Sequence, residues 1–289
     1  MPFADADGVQ LHYESAGHGP PIIFVHEFAG DALSWEAQVR CFSRRHRCIA
    51  FNARGYPPSD VPSDASAYSQ AIAAADILAI LDDLGLESSY IVGLSMGAFA
   101  ALHLTIEQPH RVSGVVLAGV GYGALVTDRE QFQSEVEETA ARFEAKGMPN
   151  VAAAYAASPF RDALRRKDPR GFAEFTERLG GHSTIGSVNT LRGVQRDRPT
   201  FRALADQLAT IQVPTLVLAG DEDEPSLEAS LYLRRTIPTA ALAVLPRTGH
   251  AINLEEPDLF NASVADFIAT VAAGRWEVGA APTPGGHIL

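Results

Sequence analysis

The stretch YIVGLSMGAF, residues 90–99, sets the reading of this chain. Tyr90, Ile91 and Val92 have the character of a buried strand, and Ala98, Phe99, Ala100, Ala101 and Leu102 open a packed helix. Only Gly93-Leu94-Ser95-Met96-Gly97 lies between them. So short a turn from strand to helix forces sharp backbone angles at Ser95. Glycines two residues to either side remove the side chains that would collide there.

Outward from that turn, strand and helix patterns alternate. VQLHYES (9–15) reads as an edge strand, PIIFVHEF (21–28) as a buried one and HRCIAFN (46–52) as another, with SWEAQVRCF (34–42) helical between the last two. Ser69 caps a helix that stops at Gly85. A helix ended by Pro109 follows the quoted turn, and RVSGVVLAG (111–119) is a further buried strand. Apolar strands alternating with helices imply a mostly parallel sheet covered on both faces, an α/β fold.

Residues 1–121 therefore form the first part of an α/β core. From 122 to 209 the texture becomes helix after helix, beginning with a capping box at Thr127 and Glu130 and a helix closed by Gly147. Further helices follow Asp168-Pro169 and Ser183. VPTLVLAGDED (213–223), a helix, ALAVLP (241–246) and a last helix restore the core over 210–273. The helical insertion reads as a lid over the strand ends. The glycine- and proline-rich tail, 274–289, is expected to be mobile.

Composition bounds the function. Lys+Arg 23 against Asp+Glu 35 gives a net charge of −12, which argues against a phosphate-binding surface and hence against nucleic acid. Two cysteines, Cys41 and Cys48, make no disulfide framework or four-ligand zinc site and read as reduced core thiols. The N-terminus MPFADADGVQ has no basic start, and no stretch reaches the length of a membrane span, so a soluble, cytoplasmic protein is expected.

A serine hydroxyl becomes a useful nucleophile only when a base takes its proton and a third group holds that base. Open α/β sheets place such groups beyond the carboxyl ends of their strands. Of the histidines after the last two core strands, His287 lies in the tail and His250 stands in LPRTGHAINLEEP, just past ALAVLP. Asp221, Glu222 and Asp223 end the strand LVLAGDED. The chain order is serine, acid, histidine.

With these motifs in hand, the sequence resembles the α/β-hydrolase superfamily, in the lid-bearing branch of carboxylesterases, lactonases, perhydrolase-type haloperoxidases and carbon–carbon bond hydrolases. GLSMG, FVHEFAG, FNARGYPPSD, PTLVLAGDED and GHAINLEEP all lie within residues 22 to 257, in the family's order. The resemblance implies Ser95 as nucleophile, His250 as general base and Asp223 as its orienting acid, with Asp223 preferred to Asp221 because the family's acid falls three residues after the glycine. It also implies an oxyanion hole from the backbone N–H groups of Phe28 and Met96, which would hold the substrate carbonyl. No cofactor or metal is implied.

Three departures stand out. Glu27 replaces the glycine usual after His26, Asn52 a common aspartate, and Pro57-Pro58 the glycine of the next loop. An inward carboxylate beside Phe28 would repel a forming oxyanion, so Glu27 is expected to turn away from Ser95 and pair with a cation, Arg54 first.

Other features read blandly. DEDE (221–224) lacks the glycine and ligand spacing of a calcium loop, and GVGYGA (119–124) sits on the wrong strand for a dinucleotide fingerprint. RDALRRKDPR (161–170) reads as a solvated helical face. Of Phe132, Phe143, Tyr155, Phe160, Phe172 and Phe175, most read as lid core.

The function expected is hydrolysis of a small or medium, largely apolar ester or lactone. Carbon–carbon bond hydrolysis or perhydrolysis is the alternative. A non-catalytic ligand receptor on this fold is the reading from another class.

Overall fold

The computed structural model describes residues 2–277. The chain opens with β1 (Phe3–Ala6), β2 (Val9–Ala16) and β3 (Pro21–Val25), then α1 (Glu36–Phe42) and β4 (Arg47–Phe51). There follow α2 (Gln70–Asp83), β5 (Ser89–Leu94), α3 (Met96–Glu107) and β6 (Val112–Ala118). Helices α4 (Arg129–Lys146), α5 (Met148–Ala156), α6 (Asp162–Lys167), α7 (Pro169–Gly180), α8 (Thr184–Asn189) and α9 (Ala205–Leu208) come before the next strand, with a π-helical turn at Thr190–Arg196. The chain then completes β7 (Thr215–Gly220), α10 (Glu224–Thr236), β8 (Ala240–Leu245), α11 (Ile252–Glu255) and α12 (Pro257–Ala272).

The eight strands form one sheet in the order β1-β2-β4-β3-β5-β6-β7-β8. Strands β1 and β2 run antiparallel to their neighbours, and β4, β3, β5, β6, β7 and β8 pair in parallel. The carboxyl ends of β3, β5, β7 and β8 therefore share one edge, and the loops leaving them can meet.

Side chains alternate across the sheet, and both faces are covered. Ile23, Val25, Ile91, Val115 and Val217 pack with Ile77, Ile80 and Leu81 of α2 and with Phe99 and Leu102 of α3. Ile22, Phe24, Val92, Val116 and Leu218 face the other way, onto Trp35, Phe42 of α1 and Phe260, Val264 and Phe267 of α12. Full burial of each such side chain contributes roughly 1.5–3 kcal/mol, which is why these strands read as continuous apolar runs. A third cluster joins the inserted helices to the core loops: Phe132, Val136, Phe143, Val151 and Leu191 pack with Phe28, Tyr56 and Met96.

Several local expectations change. VQLHYES is the second strand from the edge, because β1 pairs outside it. The cap of α4 is Asp128, whose carboxylate accepts the Gln131 amide at 2.9 Å, so Thr127 and Glu130 form no capping box. Ser69 does cap α2, accepting from the Ile72 amide at 3.1 Å. Cys41 is exposed, on the outer side of α1, whereas Cys48 is buried and its thiol is pushed up to about 12 by desolvation. Within the expected tail, Trp276 is anchored: its indole N–H donates to the Thr239 carbonyl at 2.9 Å and its ring meets Phe267 edge-on. Residues 278–289 lie outside the described residues. Among the described residues, no helix is long and apolar enough to cross a membrane.

Candidate active site

Ser95 stands between β5 and α3 with φ 51° and ψ −112°, a conformation L-residues avoid. Its amide donates to the Ala118 carbonyl of β6 at 2.8 Å, which fixes the turn. The flanking glycines are required by close approach. A Cβ at Gly97 would fall 2.1 Å from the Val25 carbonyl oxygen, and one at Gly93 2.5 Å from that of Gly97. The side chain of Ser95 is thereby lifted to the wall of a cavity of about 210 Å³.

The same cavity is lined by His250 and Asp223. His250 Nδ1 lies 2.7 Å from Asp223 Oδ2, so the imidazole donates from Nδ1 and leaves Nε2 free to take a proton. Asp223 is itself braced by the Ser226 hydroxyl, which donates to Oδ2 at 2.5 Å. Burial alone would raise the Asp223 carboxyl, but the charge and hydrogen bond of His250 outweigh it and hold Asp223 below its usual value. Burial likewise pulls His250 down, and Asp223 and Glu27 more than reverse this, so His250 is raised. Asp221, the other candidate acid, turns away and accepts the Thr248 amide at 2.9 Å.

Two further side chains brace the loop after β3, His26 from that loop and Tyr56 from the loop after β4. His26 donates from Nδ1 to the Glu27 carbonyl at 2.7 Å and accepts the Ala53 amide at Nε2 at 3.0 Å, so it is a neutral, buried anchor. Tyr56 donates to the Phe28 carbonyl at 2.9 Å. The Phe28 N–H has no hydrogen-bond acceptor among the described residues. Met96 opens α3, so its N–H has no carbonyl four residues back within the helix. Phe28 lines the cavity and Met96 directly follows Ser95, so both unspent donors belong to segments beside the turn.

Glu27 departs from expectation. It is 3% exposed and lines the cavity instead of turning from it. Its partner is Arg161 of the inserted segment, whose Nη2 donates to Glu27 Oε2. Arg54 is engaged elsewhere, in a buried two-bond pair with Asp76 at 2.6 and 2.8 Å. The chain after β4 carries Arg54 toward α2, so the two side chains point apart even though their strands are neighbours. Arg161 also departs from the solvated helical face expected of 161–170, being 4% exposed. Arg165, Arg166 and Arg170 do pair at the surface, with Asp162, Glu222 and Glu174, and Lys167 pairs half-buried with Glu256.

Asn52 bridges loops, its Oδ1 accepting the Ala32 amide at 2.8 Å and its amide donating to the Pro57 carbonyl at 2.7 Å. Glu255 carries no role in the family motif as read from the sequence, yet its carboxylate accepts the amides of Gly249 and Ala251 at 2.5 and 3.0 Å and so fixes the backbone on both sides of His250. Its place five residues after that histidine, in GHAINLEEP, was the available signal, as was Ser226 three residues after Asp223. Of the aromatics in the inserted segment, Tyr155 and Phe160 line the cavity, while Phe132, Phe143 and Phe175 are buried among the inserted helices and Phe172 packs against them.

Comparison with known proteins agrees with this topology. The chain is 29% identical over 273 residues to 2-hydroxy-6-oxononadienedioate/2-hydroxy-6-oxononatrienedioate hydrolase 2 of Pseudomonas putida, covering 90% of this chain and 92% of that one. It is 24% identical over 255 residues to 3-oxoadipate enol-lactonase 1 of Acinetobacter baylyi, covering 88% and 90%. A solved hydrolase from Pseudomonas aeruginosa PA01 superposes with a TM-score of 0.81 at 28% identity, covering 92% of this chain and 97% of its own. The sequence profile described as alpha/beta hydrolase fold matches residues 20–257, and the chain belongs to that family.

Proposed function

We propose that this hydrolase is a serine esterase or lactonase acting through an acyl-enzyme on Ser95. The observation that carries the reading is the 2.7 Å bond between His250 Nδ1 and Asp223 Oδ2, with Ser95 on the wall of the same cavity. In this reading Ser95 Oγ attacks the substrate carbonyl as His250 Nε2 takes its proton. The charge that develops on the carbonyl oxygen is received by the N–H groups of Phe28 and Met96. Collapse expels the alcohol oxygen, which takes the proton back from His250. His250 then deprotonates water as it attacks the acyl carbon; the C–Oγ bond breaks, Ser95 Oγ takes the proton back from His250 and the acid is released. Asp223 stays ionised and stabilises the imidazolium.

The cavity supports a small or medium, largely apolar substrate. Phe28, Val136, Tyr155, Phe160 and Leu191 supply apolar walls; Gln195, Thr139 and Arg142 add polar points beside the Glu27–Arg161 pair. Many of these residues come from the inserted helices, and we assign that segment the role of a lid. The lactonase relative supports a cyclic ester as one substrate form. The Pseudomonas putida relative, named for a hydroxy-oxo-dienedioate and not for an ester, supports carbon–carbon bond hydrolysis as the second reading on the same three residues.

A panel of short esters, lactones and diketones, run with the wild type and Ser95→Ala, tests the proposal. Turnover of esters or lactones that is lost in Ser95→Ala is expected. Turnover of diketones alone would move the assignment to the second reading, and a folded wild type inert on every class would contradict both.

A further inference from the structure

Glu27 brings into the site a carboxylate that the Ser95–His250–Asp223 reading leaves unused. Two basic groups lie within 4 Å of it among the described residues: Arg161, and His250, whose Nε2 is 3.9 Å from Glu27 Oε2. Nε2 is the nitrogen that has to meet the Ser95 hydroxyl. A carboxylate that captured the protonated Nε2 would leave the imidazole clamped between acids at both nitrogens, with no lone pair for Ser95.

Arg161 answers that hazard atom for atom. Its Nη2 bonds Oε2, the same oxygen that faces His250. A guanidinium is charged at every working pH, whereas imidazole has to be protonated to compete. Arg161 is firmly seated, over the Tyr155 ring at 5.3 Å and the Phe175 ring at 5.4 Å. It also belongs to the Pro159–Arg161 turn between α5 and α6, and the Phe160 carbonyl of that turn accepts the His250 backbone N–H at 2.9 Å. One docked turn thus holds the histidine backbone and delivers the cation.

We propose that Arg161 is a positioning residue: by occupying Glu27 Oε2 it keeps His250 Nε2 free for Ser95, so the site is competent only while the Pro159–Arg161 turn is docked on the His250 loop. This rests on the triad reading of the preceding subsection. The charged groups facing His250 are Asp223 from the loop after β7, Glu27 from the loop after β3, Arg161 from the turn, and Glu255 of α11 through the Gly249 and Ala251 amides.

The test compares Arg161→Met, Glu27→Gln and the double variant by the pH profile of kcat/KM and by NMR titration of His250 in protein labelled with ¹⁵N-histidine. In Arg161→Met, kcat near neutral pH should fall by roughly tenfold or more with KM changed much less, and His250 should titrate at higher pH than in wild type. In Glu27→Gln it should titrate at lower pH. The double variant should recover at least roughly tenfold over Arg161→Met, because the carboxylate that needed neutralising is gone.

A double variant no better than Arg161→Met, or a rise in KM with an unmoved pH profile, would overturn the proposal and make Arg161 a substrate ligand or a purely structural residue. Should Arg161→Met fail to fold, the Glu27→Gln titration decides alone, and an unshifted His250 overturns the proposal. The titration needs no substrate, so failure of the triad reading would show separately, as an intact titration in a protein whose Ser95 is unreactive.

Discussion

Glu27 Oε2 stands 3.9 Å from His250 Nε2, while Asp223 Oδ2 holds the other ring nitrogen at 2.7 Å. The imidazole therefore lies between two carboxylates, and its proton is bound more tightly than in an ordinary histidine, whose value is 6.5. Only the neutral ring can act as a base. The acidic limb of kcat/KM should accordingly fall at a pH above 6.5, which a pH–rate profile on any turned-over ester measures.

Stability should move the opposite way. A raised His250 favours the folded state fully below 6.5, and this contribution is lost as pH rises through the folded value. Asp223, held below its ordinary 3.8, contributes above that pH and loses its effect as pH falls through its folded value. Denaturant midpoints taken across pH should thus show the His250 contribution fading over the same interval in which activity appears. An acidic limb below that of free histidine would contradict this balance of charges.

The two aspartates after β7 should separate sharply. Asp223→Asn removes the acceptor that fixes the His250 tautomer, and kcat should fall on the order of 10⁴-fold. Asp221 accepts backbone amides of the loop after β8, the Thr248 amide at 2.9 Å among them, and lies near the surface, so Asp221→Asn should lower kcat by about tenfold at most. Steady-state rates of the two variants, measured side by side, check the ranking.

Ser226→Ala should act through Asp223 alone. Loss of a hydrogen bond to a charged group is worth about 1.5–3 kcal/mol, so a reduction in kcat of roughly 10- to 100-fold is expected. The Tm should drop by only a few degrees, since the carboxylate keeps its bond to His250.

Glycine replacements distinguish close approach from mere chain freedom. Gly97→Ala would drive a methyl to 2.1 Å from the Val25 backbone oxygen, which cannot yield without moving β3, and should cost several kcal/mol. Gly85→Ala meets nothing within 4 Å and suffers only its φ of +63°, so a cost of about 1 kcal/mol is expected. Thermal or denaturant unfolding of both variants reads the difference.

What was legible in the sequence follows from which signals are local. The turn at Ser95 could be read because its glycines are forced by backbone collisions within a few residues and with the neighbouring strand. The parallel strands could be read because burial on both faces leaves unbroken apolar runs. Asp223 was distinguishable from Asp221 only through the family resemblance, since both carboxylates sit on the same strand end. The partner of Glu27 was not legible. Arg161 lies 134 residues away in the chain, and nothing near RDALRRKDPR says that its first arginine is buried while the others are solvated. That distinction arises when the inserted helices fold back over the sheet. The cap of α4 is ambiguous in sequence for a simpler reason: Thr127 and Asp128 are adjacent cap formers, and the carboxylate takes the role.

The central claim is that Ser95 is an activated nucleophile, and active-site labelling tests it most directly. Wild-type protein treated with a fluorophosphonate and digested should carry the phosphonyl group on the peptide containing Ser95. Labelling should be abolished in Ser95→Ala and strongly slowed in His250→Ala. Label that persists in a folded Ser95→Ala variant, or a folded wild type that takes none, would contradict the account.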